Sequence, residues 1–91
     1  MLLGDPEMKS VKIYTWKTCP YCIRAIQLLK TKKVDFEEFV LDGKDDELNA
    51  LRAKTGHKTV PQIFIGDEFI GGYSELAALE STGELSLMLR S

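Results

Sequence analysis

The fold is decided by the stretch VKIYTWKTCPYC, residues 11–22. Its first six residues are β-branched, aromatic or alternately polar, which predicts a strand. After a short corner, Pro20 stands where a helix favours its first residue. Apolar side chains then recur at helical spacing at Cys22, Ile26 and Leu29. The stretch therefore predicts a strand that leads into an amphipathic helix, with two cysteines at the junction.

Outward from this stretch, the chain alternates strand and helix patterns. A second strand over residues 36–41 completes a βαβ unit within about thirty residues. Residues 61–65 predict a third strand, which turns tightly into a fourth at residues 69–70. Helix caps are expected at Asp45 or Asp46, Gly56, Ser74 and Gly83, and a short last helix is expected to cover the sheet.

Size and composition limit the class of protein. Ninety-one residues make one domain, and 44% hydrophobic with 29% charged residues is typical of a globular chain. The net charge of −2 gives no basic surface for nucleic acid or an anionic membrane. No apolar run approaches the roughly 18 residues that span a bilayer. We therefore expect neither a nucleic-acid nor a membrane partner.

The ends of the chain and its cysteines suggest where the domain lies and where it works. Residues 1–9 are aperiodic and are predicted to form a flexible extension, followed by the folded domain over residues 10–91. The chain has two cysteines, three residues apart, which cannot staple a secreted mini-protein. This spacing favours a reducing, cytoplasmic compartment, and we expect a monomer.

The two cysteines have the spacing of a redox pair. In a C-x-x-C motif at a helix start, both thiols can close and reopen a disulfide with little backbone movement. The unpaired N–H groups of the first helical turn point toward Cys19 and favour its thiolate. Cys22 lies deeper on the apolar stripe, so its thiol is expected to stay protonated and to react second.

Two other interpretations of the cysteines are less favourable. A zinc site needs four ligands, and beyond the cysteines the chain offers one histidine, His57, and scattered carboxylates. His57 follows a helix stop with no acidic neighbour in sequence, so we interpret it as a surface or loop residue. The cysteines could also be ordinary small buried residues. Their position between strand and helix favours redox chemistry, and no metal is expected.

Three motifs together resemble a known family. They are Thr18-Cys19-Pro20-Tyr21-Cys22, Thr59-Val60-Pro61-Gln62-Ile63-Phe64-Ile65 and Gly71-Gly72. In order and spacing, the chain resembles a dithiol glutaredoxin of the C-P-Y-C class, of the small bacterial or cyanobacterial type, in the thioredoxin superfamily. The resemblance implies an α/β thioredoxin-like fold, whose four-stranded mixed sheet has the order 2-1-3-4 with helices on both faces. It also implies glutathione as reductant.

The resemblance assigns roles around the sulfur atoms. Cys19 is the nucleophile that attacks a glutathione mixed disulfide, and Cys22 is the resolving thiol that protein disulfides require. Pro61 corresponds to the family's cis-proline, although a proline is also tolerated at the first residue of a strand. Thr59 and Val60 would offer main-chain hydrogen bonds to the cysteinyl part of glutathione.

The resemblance also places the γ-glutamyl end of glutathione, among Gly72, Tyr73, Ser74 and Glu75. Helix-opening N–H groups can bind a carboxylate there, while the Ser74 hydroxyl or the Glu75 carboxylate can meet the α-amine. Ser74 could equally be a helix cap alone. Tyr21 is either an exposed helix residue or an aromatic wall beside the tripeptide.

One position departs from the family pattern. Many relatives place lysine three residues before the first cysteine to hold the glycyl carboxylate, but here that position is Trp16 and the lysine is Lys17. Lys17 could reach from the corner, and Lys58 or His57 could share the task. The lysines could also be solvated charges without a ligand.

The favoured function is a glutathione-dependent thiol–disulfide oxidoreductase that reduces disulfide-containing and glutathionylated proteins. Three alternatives stay open. One is a thioredoxin-like reductase fed by a flavoenzyme. Another is an iron–sulfur carrier in which a dimer shares Cys19 and two glutathiones, which Pro20 disfavours. The third is a structural metal module.

Overall fold

The computed structural model describes residues 9–90. The strands are β1 Val11–Thr15, β2 Phe36–Val40, β3 Gln62–Ile65 and β4 Glu68–Gly71. The helices are α1 Pro20–Thr31, α2 Asp45–Thr55, α3 Tyr73–Thr82 and α4 Glu84–Arg90. Of the predicted extension over residues 1–9, all but Lys9 lie outside the described residues. Within the described part, no helix has the length and apolar character to cross a membrane.

The sheet has the predicted order β2-β1-β3-β4. Strand β1 pairs in parallel with β2, as a βαβ unit requires, and antiparallel with β3. Strands β3 and β4 form an antiparallel hairpin. One residue beyond the end of β2, the Leu41 N–H donates to the carbonyl of Thr15, the last residue of β1, at 2.8 Å and extends the parallel ladder toward the cysteines.

Helices cover both faces of the sheet, because side chains along β3 alternate between two buried clusters. Ile63 and Ile65 belong to the larger core, with residues of α1, α3 and α4 such as Leu29, Leu76 and Leu85. The smaller core lies on the other face: Cys19, Cys22, Leu41, Leu48, Leu51, Val60 and Phe64. The two-sided α/β architecture predicted from the sequence is therefore confirmed.

The helix ends agree with the predictions at the C-termini. Gly56 and Gly83 follow α2 and α3 in the left-handed conformation, with φ of 76° and 83°. Their N–H groups donate to the carbonyls of Arg52 and Glu80, which closes each helix. Both glycines hold a backbone conformation that other residues adopt only with strain.

The predicted N-terminal caps are wrong. The residue that precedes α2 is Lys44, without a side-chain cap, and Asp45 already belongs to the helix. Its carboxylate lies in the first turn, where the positive end of the helix dipole stabilises negative charge. At α3 the capping position is Gly72, and Ser74 lies inside the first turn. Here the Glu75 carboxylate accepts the Gly72 N–H at 2.7 Å, which supplies the cap from the third helical residue.

Candidate active site

Cys19 occupies the N-cap of α1, as the sequence predicts. Its backbone is extended, with φ −137° and ψ 106°, and Pro20 follows as the first helical residue. The Cys22 N–H donates to the Cys19 sulfur at 3.1 Å. A donor of the first helical turn that would otherwise lack a partner thus stabilises negative charge on this sulfur.

Cys22 lies one turn further along and is almost fully buried, with 1% of its surface exposed. Burial raises the pKa of its thiol to about 12, and the hydrogen bond with Cys19 adds to the rise, while a bond to the Trp16 backbone opposes it. This thiol is therefore protonated at neutral pH, which agrees with its predicted place as the second reactant.

The segment before β3 lies against the nucleophilic sulfur. The Val60–Pro61 peptide bond is cis, the conformation that the resemblance implies for Pro61. The Cys19 thiol is 3.9 Å from the Val60 carbonyl oxygen, within reach of a weak S–H hydrogen bond. The main chain at residue 60 therefore forms one side of the reaction centre.

A groove of about 200 Å³ opens on this side of the cysteines. Its lining comes from the start of α1, the loop before β3 and the start of α3: Tyr21, His57, Thr59, Val60, Pro61, Gly72, Tyr73, Ser74 and Glu75. Apart from the cysteines, every predicted site residue except Lys17 lies in this lining. Three separate parts of the sequence thus meet at one place.

A larger cavity, of about 400 Å³, lies elsewhere and does not match the chemistry. It opens where β1 and β2 begin, and residues such as Ser10, Lys33 and Phe36 line it. Its lining contains no thiol and no predicted site residue. The smaller groove is therefore the candidate active site.

Tyr21 forms an aromatic wall with Tyr73. Their ring centroids are 6.4 Å apart and the ring planes differ by 29°, so the rings stack across the groove from α1 and α3. The Arg24 guanidinium lies over the Tyr21 ring, 5.6 Å from its centre. Although 57% of Tyr21 is exposed, both contacts hold its ring at the groove.

The paired glycines make room for this arrangement. A β-carbon at Gly71, whose φ is 123°, would lie 2.8 Å from Cγ of Glu75. A β-carbon at Gly72 would lie 3.4 Å from both the His57 Nε2 atom and the Pro61 carbonyl oxygen. The absence of side chains here lets β4 turn into α3 directly beside the cis-proline.

The structure separates Lys17 from the predicted set. Lys17 is exposed and absent from the groove lining, and its backbone N–H donates to Asp42 at 2.8 Å. His57, which sequence reasoning interpreted as a surface or loop residue, is half-buried in the groove wall. Its ring packs edge-on against Phe69 at 5.7 Å. Its position in the sequence, close to Thr59, had already made it a candidate to share the glycyl carboxylate.

No group of three or more histidine, cysteine or carboxylate side chains within residues 9–90 could hold a metal ion. The groove instead offers two reduced thiols, main-chain groups and aromatic surface. A helix-capping thiol beside a buried partner thiol, on a two-sided mixed sheet, defines a thiol–disulfide oxidoreductase of the thioredoxin fold.

Comparison with known proteins makes the class specific. The sequence model of the glutaredoxin family matches residues 11–70. The chain is 51% identical over 82 residues to a glutaredoxin of Pseudomonas aeruginosa, covering 90% of this chain and 98% of that protein. The chain therefore belongs to the glutaredoxin family, and it is a glutathione-dependent thiol–disulfide oxidoreductase.

Solved structures agree. The solution structure of a Brucella melitensis glutaredoxin matches with a TM-score of 0.84 at 39% identity, over 96% of this chain and 95% of that one. The crystal structure of a buckwheat glutaredoxin–glutathione complex also has a TM-score of 0.84, at 30% identity, over 87% and 74% of the two chains. The thioredoxin-like fold is confirmed.

Proposed function

We propose that the groove binds glutathione, so that the sulfur of a glutathione mixed disulfide meets Cys19. The observation that carries this proposal is the position of Cys19, which receives a first-turn N–H and lies against the Val60 carbonyl at the groove. The buckwheat glutaredoxin of similar fold is described in complex with glutathione, which supports the choice of ligand.

For a glutathionylated protein, one sulfur suffices. The Cys19 thiolate attacks the glutathione sulfur of the mixed disulfide, the old S–S bond breaks, and the protein thiolate leaves and takes a proton. A second glutathione, as thiolate, then attacks the glutathione sulfur held on Cys19. This step releases oxidised glutathione and restores the Cys19 thiolate, so that one disulfide is reduced and one is formed.

For a protein disulfide, Cys22 is needed as well. Cys19 first forms a mixed disulfide with the substrate protein, and Cys22 then loses its proton and attacks Cys19. The substrate leaves as a dithiol, and the Cys19–Cys22 disulfide is reduced by two glutathiones. Because the pKa of Cys22 is raised to about 12, this second attack requires its proton to be removed as the bond forms.

We assign the groove residues to parts of the tripeptide. The main chain of Thr59 and Val60 faces the cysteinyl part of glutathione, which would bind alongside it like an added strand. Ser74 and Glu75 lie at the start of α3, where helix N–H groups favour the γ-glutamyl carboxylate. The Tyr21 ring, stacked with Tyr73, shields one side of the bound tripeptide from solvent.

The glycyl carboxylate needs a cation or a strong donor. His57 is the basic side chain in the groove lining, whereas Lys17 lies outside it. We therefore propose His57 as the main partner, with Lys17 or Lys58 contributing only long-range attraction that solvent screens. Replacing His57 by Gln should weaken glutathione binding more than replacing Lys17 by Gln.

Substrate proteins, assembly and compartment form the remaining part of the proposal. We propose that the protein acts as a monomer on disulfide-containing and glutathionylated proteins in the cytoplasm. A reactive pair that must return to the dithiol form in each cycle suits a reducing compartment.

The test is the reduction of a glutathionylated peptide, with and without added glutathione. We expect turnover only when glutathione is present, with one oxidised glutathione formed for each peptide thiol released. Equal turnover with another thiol at the same concentration would reject glutathione as the specific reductant.

A further inference from the structure

Gln62 is a fully buried polar residue that the mechanism does not use. It begins β3 directly after Pro61, and its exposed fraction is 0%. A buried amide is costly unless both of its ends are hydrogen-bonded.

Every polar atom of the Gln62 side chain has a partner. Nε2 donates to the carbonyls of His57 at 2.6 Å and Thr59 at 3.1 Å. Oε1 accepts the hydroxyl of Thr55 at 2.8 Å. Because carbonyls only accept, these partners fix which end of the amide points toward them.

The same network controls the groove wall. The Thr55 hydroxyl also accepts the His57 N–H at 3.1 Å, so residue 57 is held through both its N–H and its carbonyl. His57 and Thr59 both line the groove. One buried amide thus joins the end of α2 and the loop that follows it to the start of β3.

We propose that Gln62 is a positioning residue for glutathione: it holds the loop over residues 57–59 so that the main chain at Thr59 and the His57 ring face the tripeptide. This inference rests on the proposed function. Gln62 does not contact glutathione itself, because its side chain is buried and its polar atoms are occupied by Thr55 and by the loop.

The network acts on recognition and leaves the nucleophile alone. Cys19 is held by the N–H of Cys22, within α1, and by contact with Val60. The hydrogen bonds of the Gln62 side chain end on Thr55, His57 and Thr59, and none of them reaches either cysteine. Loss of Gln62 should therefore loosen the loop while the intrinsic reactivity of Cys19 is retained.

The experiment uses two mixed-disulfide substrates that differ only in the γ-glutamyl and glycyl residues of the tripeptide. One peptide carries glutathione on its cysteine, and the other carries a single cysteine on the same thiol. For Gln62→Leu, we expect kcat/KM for the glutathionylated peptide to fall about ten-fold, mainly through KM, as expected for the loss of hydrogen bonds that set geometry. The cysteinylated peptide and the alkylation of Cys19 by iodoacetamide should change by less than about two-fold.

A matched control exists in Gln27→Leu, the same exchange at an exposed position of α1. It should leave both substrates at their wild-type rates. Thr55→Val removes the hydroxyl from the network and should also lower kcat/KM for the glutathionylated peptide. Thr55→Ser keeps the hydroxyl and should keep kcat/KM at its wild-type value. This pair tests the inference even if Gln62→Leu does not fold.

The outcomes separate the inference from the function beneath it. If wild type prefers the glutathionylated peptide and both Gln62→Leu and Thr55→Val keep that preference, Gln62 has no positioning role. If the variants lose both substrates equally, Gln62 serves only stability and the inference is overturned. If wild type itself shows no preference, the proposed glutathione site fails and the inference fails with it.

Discussion

The buried resolving thiol permits a quantitative test of the electrostatics. In a Cys19→Ser variant, Cys22 is the remaining cysteine, so alkylation reports on it alone. A pKa of about 12 instead of the ordinary 9.0 corresponds to about a thousand-fold less thiolate at pH 8. The substitution removes the contribution of Cys19 to the rise, but desolvation, the largest cause, remains.

We therefore expect folded Cys19→Ser to react with iodoacetamide at least about a hundred-fold more slowly at pH 8 than the same protein in denaturant. The rate should keep rising with pH beyond 10. The denatured protein is the matched control, since it has the same thiol in water.

Restricted access to a buried sulfur must be distinguished from a raised pKa. Poor access lowers the plateau of the rate but leaves its inflection near the ordinary value. Desolvation does not raise the pKa of Cys22 if the folded variant shows a depressed plateau with an inflection near pH 9. The same conclusion follows if the folded and denatured rates agree within about ten-fold.

Three further predictions concern roles, recognition and pH. Cys19→Ser should abolish all exchange, whereas Cys22→Ser should lose reduction of protein disulfides and keep most reduction of glutathionylated peptides; equal losses in a coupled assay would refute the roles. Ser74→Ala with Glu75→Ala should raise KM for glutathionylated substrates by about ten-fold, with little effect on a disulfide lacking glutathione, because the two side chains that can meet the γ-glutamyl α-amine are removed while the N–H groups of α3 remain. An equal effect on both substrates would reduce the site to a helix cap. Because folding raises the pKa of Cys22, its contribution to stability is fully present below about pH 9 and is lost as pH rises toward 12. Between pH 9 and 12, denaturant titrations should show a smaller loss of unfolding free energy for Cys22→Ala than for the wild-type protein.

Local chemistry in the sequence was enough to predict most of the fold. The β-branched run at β1, the proline after Cys19 and the glycine stops of α2 and α3 each determine their own conformation. The order of the strands follows from the βαβ unit and the hairpin, together with the family resemblance. These features depend on residues that are close together in the sequence, so they can be predicted from the sequence alone.

The errors have a common physical origin. Ser74 was predicted as a cap because serine favours that position, yet Gly72 caps α3 with the carboxylate of Glu75. The spacing from Gly72 to Glu75 was the available signal. Gln62 was missed because its importance arises when the loop folds back on β3, and no periodic pattern records such a contact. His57 was considered only as a residue that could share the glycyl carboxylate with a lysine, and its place in the groove wall depends on the same fold of the loop.

Helix α1 contributes side chains to both of the cores that flank the sheet. In the first turn of α1, Cys22 packs in the smaller core, while Ala25 and Leu29 further along pack in the larger one. Each catalytic cycle makes and breaks covalent bonds at the first of these sites only. The second carries most of the buried aliphatic side chains and so anchors the helix throughout turnover. Oxidation and reduction therefore take place at the end of α1 that packs in the smaller core, whereas the larger core, which holds the rest of the helix, contains neither cysteine.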